Sequence, residues 1–401
     1  MSKWVLQKAA EFCASVRDGT HDSPKSVEGG GKPLVTSKVV KQGVVRVEDA
    51  YLISEKDYQK INERSKVDRW DILMTMIGTV GECAIVKDDP DYAIKNIALF
   101  KMAGDEEKAK WLYYYLTSPT GQGALRGNFR GSSQQYISLD QLRNLEIPVP
   151  EKNVRSQIVA ILSDYDSAID NARRQIALLE EAAMRLYREW FRDGKGEKAS
   201  LSEFVEITTG GSWGTDTKTV KTPNEVICIR GADFEEIHGR SLGKQIRRFI
   251  SDKHLVERSL KDGDLVVEMS GGSPTQSTGR VVSISDMFLA RYGVPVLATN
   301  FCKVIRPKSG YSHFLYLAWR DLYVSRIMFN YEVGTTGIKN FDYDLFVSDV
   351  EVSNPLPKLT QFNGLVDGMF SSMDMLGSLV QDLTEARDRL LPKLMSGEIE
   401  V

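Results

Sequence analysis

The chain is written twice. Leu179-Glu180-Glu181-Ala182-Ala183-Met184-Arg185-Leu186 returns 204 residues later as Leu383-Thr384-Glu385-Ala386-Arg387-Asp388-Arg389-Leu390, with Leu, Glu, Ala, Arg and Leu unchanged. Colinear echoes precede it: Asp71-Ile72-Leu73 before Asp264-Leu265-Val266, Asn96 before Asn300, Gly131-Ser132-Ser133 before Gly334-Thr335-Thr336, and Pro148-Val149-Pro150 before Pro355-Leu356-Pro357. A repeat of this kind restricts the fold to architectures in which one unit recurs. Two halves of about 200 residues each are expected, roughly the size of one domain apiece.

Each half ends in one long helix. Leu162, Tyr165, Ile169, Ala172, Ile176, Leu179, Ala183, Leu186 and Trp190 step by threes and fours, the period of a coiled-coil seam. The second half supplies Phe362, Val366, Met369, Met373, Leu376, Val380, Leu383, Leu390 and Leu394, with Arg387 as the one charged intruder. Asn153 and Thr360 are the expected N-caps, and Gly194 and Pro392 the expected stops. A helix of this length cannot fold back within its own half, so each is expected to pair with the other.

The segments before the helices hold short β-rich runs bounded by Gly, Asp or Pro, such as Asp71–Ile77, Cys83–Lys87, Val226–Arg230 and Asp264–Met269. Helical patches follow at Asp105–Thr117 and His313–Phe329, which suggests α+β globules with curled sheets and a flanking helix, not alternating βαβ units. The expected class is therefore α+β: two similar globules joined by two long antiparallel coiled-coil helices, a pseudo-two-fold internal repeat. The expected bounds are 1–150 and 195–357 for the globules, and 151–194 and 358–401 for the helices. Cys13, Cys83, Cys228 and Cys302 and the four histidines are scattered, so buried thiols and no metal are expected. The start breaks into charge before a signal-peptide core could form, and no apolar run approaches the ~18 residues of a membrane span, so a cytoplasmic protein is expected.

Catalytic signatures fail. Gly29-Gly30-Gly31-Lys32 runs into Pro33 without the earlier glycine of a phosphate-binding loop, and no G-x-G-x-x-G opens a strand–helix unit. Asn354-Pro355-Leu356-Pro357 lacks the aromatic that would stack a flipped adenine, and Asp264 to Glu268 has no nearby lysine for a metal-dependent nuclease. Loop chemistry suited to a polyanion is present instead. Ser270 to Arg280 packs hydroxyls, an amide, glycines and a guanidinium, groups that hold phosphates and address base edges. The whole chain carries a net charge of −3, yet between Arg240 and Lys261 seven cations face two carboxylates, while the final 47 residues are acidic. That polarity suits a protein that grips a phosphate backbone with its globules and protein partners with its helices.

Ile158–Asp166, Leu178–Ala182, Leu186–Phe191 and Arg389–Ile399 resemble the helices of type I restriction-modification specificity subunits. Arg17–Pro24, Leu34–Lys38 and Glu268–Gln276 resemble segments of their target-recognition domains. The resemblance implies two target-recognition domains, each reading one half of a split, asymmetric sequence in double-stranded DNA, and no catalytic residue. It also implies two methyltransferase subunits and later restriction subunits as partners; S-adenosylmethionine, ATP and magnesium would belong to those partners and none to this chain. The candidate DNA-contacting residues are Thr20, Thr36, Ser37, Lys38, Thr79, Arg126, Arg130, Ser133 and Gln134 in the first half. In the second they are Arg230, Arg247, Arg248, Ser270, Ser273, Thr275, Gln276, Arg280 and Lys339. Tyr187, Trp190, Leu391 and Met395 are the candidate partner contacts. The competing reading is a coiled-coil adaptor whose globules bind protein.

Overall fold

The computed structural model describes residues 4–41, 43–131, 135–192, 197–273, 275–334 and 338–401. It divides into two units, residues 1–167 with 384–401 and residues 168–383. The first unit thus combines the beginning and the end of the chain: a Cβ on Gly397 would lie 3.3 Å from the Trp4 ring.

The repeat is carried by sheet topology. In the first unit a four-stranded antiparallel sheet runs in the order Ser15–Asp18, Ile97–Lys101, Ile72–Thr75, Cys83–Ile85. In the second the order Val205–Gly210, Cys302–Pro307, Leu265–Glu268, Val281–Ser283 is the same. A second sheet follows suit: Tyr51–Ile53, Lys32–Val35, Ala93–Ile94 in one unit, and Ile246–Ile250, Asn224–Ile229, Val296–Ala298 in the other. In both, the last strand pairs parallel to the middle one. Each globule's sheets therefore hold one parallel strand pair among antiparallel ones, a detail that short β-rich runs do not encode.

One buried carboxylate holds each four-stranded sheet. Asp71, wholly buried, pairs with Lys101 at 2.6 Å and accepts the backbone N–H groups of Asp68 and Met102. Asp264, also wholly buried, pairs with Arg306 through two 2.8 Å bonds and accepts the Lys261 N–H. A carboxylate removed from water is tolerated only when its lone pairs are filled in this way. The echo of Asp71 in Asp264 is thus a structural one, each carboxylate buried within its own globule.

The two long helices run Lys152–Tyr187 and Leu359–Ser396. In the second unit Ile169 and Ala172 pack with Leu376, Val380 and Leu383, and Phe191 meets Phe362 at 5.0 Å between ring centroids. Rising numbers on one helix meet falling numbers on the other, so the pair is antiparallel. In the first unit Ile158 and Leu162 share a core with Leu391, Leu394 and Met395. Arg387, the intruder in the seam, donates to Asp166 at 2.7 Å, and the other oxygen of that carboxylate takes the Tyr114 hydroxyl at 2.7 Å.

The helix ends depart from expectation. Asn153 and Thr360 lie inside the first turns, because the Arg155 N–H already bonds Glu151 and the Phe362 N–H already bonds Lys358. Pro392 does not stop its helix, which continues to Ser396. The burial of Leu394 and Met395 draws the helix onward past the one backbone bond that proline cannot make. It ends at Gly397, φ +72°, whose N–H bonds Leu394. Gly194 lies outside the described residues. All four cysteines are buried, and among the described residues no helix is long and apolar enough to cross a membrane.

Candidate functional site

The first strand of each four-stranded sheet runs into a loop built to one plan. Asp18-Gly19-Thr20-His21 leaves the first strand in one unit and Gly210-Gly211-Ser212-Trp213 in the other. The Thr20 N–H bonds the Ile94 carbonyl at 3.0 Å, and the Ser212 N–H bonds the Ala298 carbonyl at 2.8 Å. The glycine before it admits no side chain: a Cβ would stand 2.3 Å from the Ile94 oxygen at Gly19 and 1.9 Å from the Thr299 oxygen at Gly211. An arginine in the last turn of a neighbouring helix completes the brace. Arg64 binds the Asp18 carboxylate, and Arg258 donates to the Gly210 and Gly211 carbonyls at 3.2 and 2.6 Å.

Facing each loop is an asparagine in the turn between the last two strands, Asn96 or Asn300. The His21 ring sits between Asn96, 2.8 Å from Nδ1, and Asp18, 2.9 Å from Nε2. In the second unit Trp213, Arg230, Ser270, Asn300, Phe301 and Ile338 line an open cleft of about 450 Å³. Arg248 lies 4.0 Å over the Trp213 ring and binds Asp216.

Few of the arginines expected to meet phosphate are uncommitted. Arg230 is bonded to Asp233 at 3.0 and 2.7 Å, Arg247 binds Glu225, and Arg240 is buried against Asp374 at 3.1 Å. Arg280, expected to address a base edge, donates to Glu268 at 2.6 and 2.7 Å and to the Gly231 carbonyl at 2.9 Å. Arg240, Arg247 and Arg248 of the basic run are therefore braced internally, because folding brings onto them Asp374 of the C-terminal helix, Glu225 of the neighbouring strand and Asp216 of a loop. Lys339 pairs with Glu332 at 2.6 Å, and Ser270 donates to Asn340 at 2.6 Å. The tip of the Gly-rich loop is a turn in which the Gln276 N–H bonds the Ser273 hydroxyl at 3.0 Å, which leaves the Thr275 and Gln276 side chains in solvent.

In the first unit Thr20 and Thr36 accept backbone N–H groups of Asp22 and Lys38, Ser37 is half-buried, and Lys38, Thr79, Arg126 and Arg130 are exposed. Ser133 and Gln134 lie outside the described residues. The partner candidates are mostly interior: Tyr187, Met395 and Leu391 are 3%, 2% and 8% exposed, and the half-buried Trp190 ring packs on Phe362. Of the four only Trp190 belongs to the heptad stripe, and all four pack into the cores of the units. On the C-terminal helix Leu365, Met375 and Leu379 are left in solvent on a second face, and on the central helix Leu178 is exposed. His21, Asn96, Trp213, Asn300 and Phe301 were not singled out as contacts by sequence reasoning, although a glycine closing the first strand of each half was there to be seen.

Residues 1–181 match the family model described as the type I restriction modification DNA specificity domain. The chain is 25% identical over 430 residues to the type I restriction enzyme MjaIX specificity subunit of Methanocaldococcus jannaschii, an alignment covering 99% of this chain and 94% of that protein. It is 26% identical over 116 residues to the EcoBI specificity subunit of Escherichia coli, covering 28% of this chain and 24% of that one. Among solved structures, the S subunit of a type I restriction-modification system from M. genitalium superposes with a TM-score of 0.53 at 15% identity, covering 98% of this chain and 96% of that one. That likeness is one of fold.

Proposed function

We propose, from the match of residues 1–181 to the type I restriction modification DNA specificity domain and the likeness to a specificity subunit over nearly the whole chain, that this chain is a type I specificity subunit that reads a split, asymmetric sequence in double-stranded DNA, one half per globule, for a methyltransferase and a restriction assembly. It is the non-catalytic specificity component, and turnover resides in its partners. The observation that carries the reading is the pair of globules with one strand order and different loop chemistry. A duplicated scaffold with divergent loops suits two unlike half-sequences. Domain bounds near 1–150 and 195–357 for the globules, with helices at 151–194 and 358–401, fit this division of labour. Two methyltransferase subunits would dock along the helices, where Leu365, Met375 and Leu379 on one and Leu178 on the other offer apolar surface in solvent. Work on cellular DNA places the protein in the cytoplasm.

Binding of the purified chain, with its methyltransferase partner, to duplexes of defined sequence tests the reading. Affinity should fall steeply as salt rises, because neutralised phosphates release counterions. One split sequence should be methylated and its scrambled version left untouched. A protein adaptor would give neither result, and ATP hydrolysis or methylation by the isolated chain would overturn the assignment of catalysis to partners.

A further inference from the structure

We propose that Asn96 and Asn300 are equivalent base readers, one in each globule, and that the neighbour each carries decides how much of a base edge it reads: Asn300 reads adenine with both halves of its amide, whereas His21 takes half of the Asn96 amide and leaves it one. The inference rests on the DNA-reading function and names residues for it.

Both asparagines stand in the same turn of the same topology, opposite a loop held rigid by a glycine without room for a Cβ and by an arginine. Rigidity of this kind preorganises a reader, so little freedom is lost on contact. Their settings differ: Asn96 is half-buried at φ +53° with its N–H bonded to the Thr20 carbonyl, whereas Asn300 stands in a turn one residue longer, with Phe301 before the next strand. The Asn300 side chain is exposed and makes no hydrogen bond among the described residues, so it keeps a carbonyl acceptor and an amino donor. That pair matches the N6 amino group and N7 of adenine in the major groove. The surrounding cleft favours the same base pair. Phe301 and Ile338 are 56% and 70% exposed beside Asn300, which gives the thymine methyl group an apolar wall. Trp213, stacked beneath an Arg248 whose charge is met by Asp216, gives the cleft a firm side.

Asn96 is held differently. One end of its amide lies 2.8 Å from His21 Nδ1, and the opposite ring nitrogen is fixed by Asp18. Whichever tautomer the ring adopts, one of the two amide functions is spent on it. The other can address a single donor or acceptor, which separates fewer bases than a bidentate contact. One scaffold thereby reads two half-sites with unequal stringency.

The test uses the full chain assembled with its methyltransferase partner and duplex DNA carrying the target found by methylation-sensitive sequencing. Asn300→Ala and Phe301→Ala should relax one A·T position of one half-site by about tenfold or more in relative affinity and leave the other half unchanged. Replacing the thymine there by deoxyuridine, which removes only the methyl group, should weaken the wild type several-fold and the Phe301→Ala variant hardly at all. His21→Ala releases the second function of Asn96 and should shift the base preference at one position of the opposite half. Thermal melting of each variant separates loss of reading from loss of folding, and the exposed Asn300 and Phe301 should melt as the wild type does. If the wild-type assembly has no split target, the proposed function fails. If the target exists and Asn300→Ala, Phe301→Ala and His21→Ala all keep its base preferences, or weaken all duplexes alike, this inference fails alone.

Discussion

At the scale of residues, the polar groups inside the units make measurable commitments. Burial pushes the imidazoles of His238 and His313 below their ordinary range, and for His238 the cations Arg320, Arg240 and Arg280 push the same way. Glu180 lies 3.9 Å from His238 and already accepts the Tyr316 hydroxyl at 2.8 Å, too far and too occupied to hold a proton on the ring. The unfolded chain takes up protons at these positions as pH falls below about 6.5, before the folded one does. Stability of the second unit should therefore fall as pH drops below about 6.5, and melting of His238→Gln should show a smaller fall. Arg387 raises a different expectation. Its replacement by Leu leaves the partly buried Asp166 with only the Tyr114 hydroxyl, and should cost about 1–2 kcal/mol after allowance for solvent screening. Arg387→Leu with Asp166→Leu should cost less than the two single changes added together, as denaturation midpoints would reveal.

At the scale of elements, the C-terminal helix offers an internal comparison. Gly368 is exposed, and nothing lies within 4 Å of where its Cβ would be, so Gly368→Ala should stabilise by about 0.5–1 kcal/mol through helix propensity alone. At Gly377 a Cβ would stand 2.5 Å from the Arg240 Cβ, and the Gly377 carbonyl accepts from Arg291 at 3.1 Å. Gly377→Ala should therefore destabilise by about 1–3 kcal/mol despite the same gain in propensity. Opposite shifts in melting temperature would check both. The two glycines also mark what was legible beforehand. Heptad spacing identifies the long helices and their seam, since periodicity is a local property. It does not distinguish a glycine that solvates a helix from one that seats it on a globule, because the deciding atom, Arg240, is 137 positions away. For the same reason the basic run from Arg240 to Lys261 read as a free cationic surface while its carboxylate partners Asp374, Glu225 and Asp216 came from elsewhere in the chain. The loops of the candidate site were legible as polar, Gly-rich segments, and Asn300, the proposed reader, was not, because a turn acquires its neighbours only when the sheet closes.

At the scale of the whole molecule, the seam period makes the helices extensible. Inserting one Ala-based heptad into each, near Ala172 and Leu376, keeps the buried stripe in phase. The protein should then recognise the same two half-sequences across a longer unread gap, which sequencing of the methylated DNA would read out directly. Removing three or four residues from one helix alone should abolish assembly by putting the stripes out of phase. A last consequence follows from Gly397 lying against Trp4. The first unit packs the segment around Trp4 against the segment around Gly397, so a short linker could join the two segments, and the chain could be opened ahead of Lys198, where the second globule begins its first strand. Such a circular permutant would start with the second globule and finish with the central helix, and its order of synthesis would be reversed. If the fold depends on contacts and not on the direction in which the ribosome delivers them, that permutant should methylate the original target.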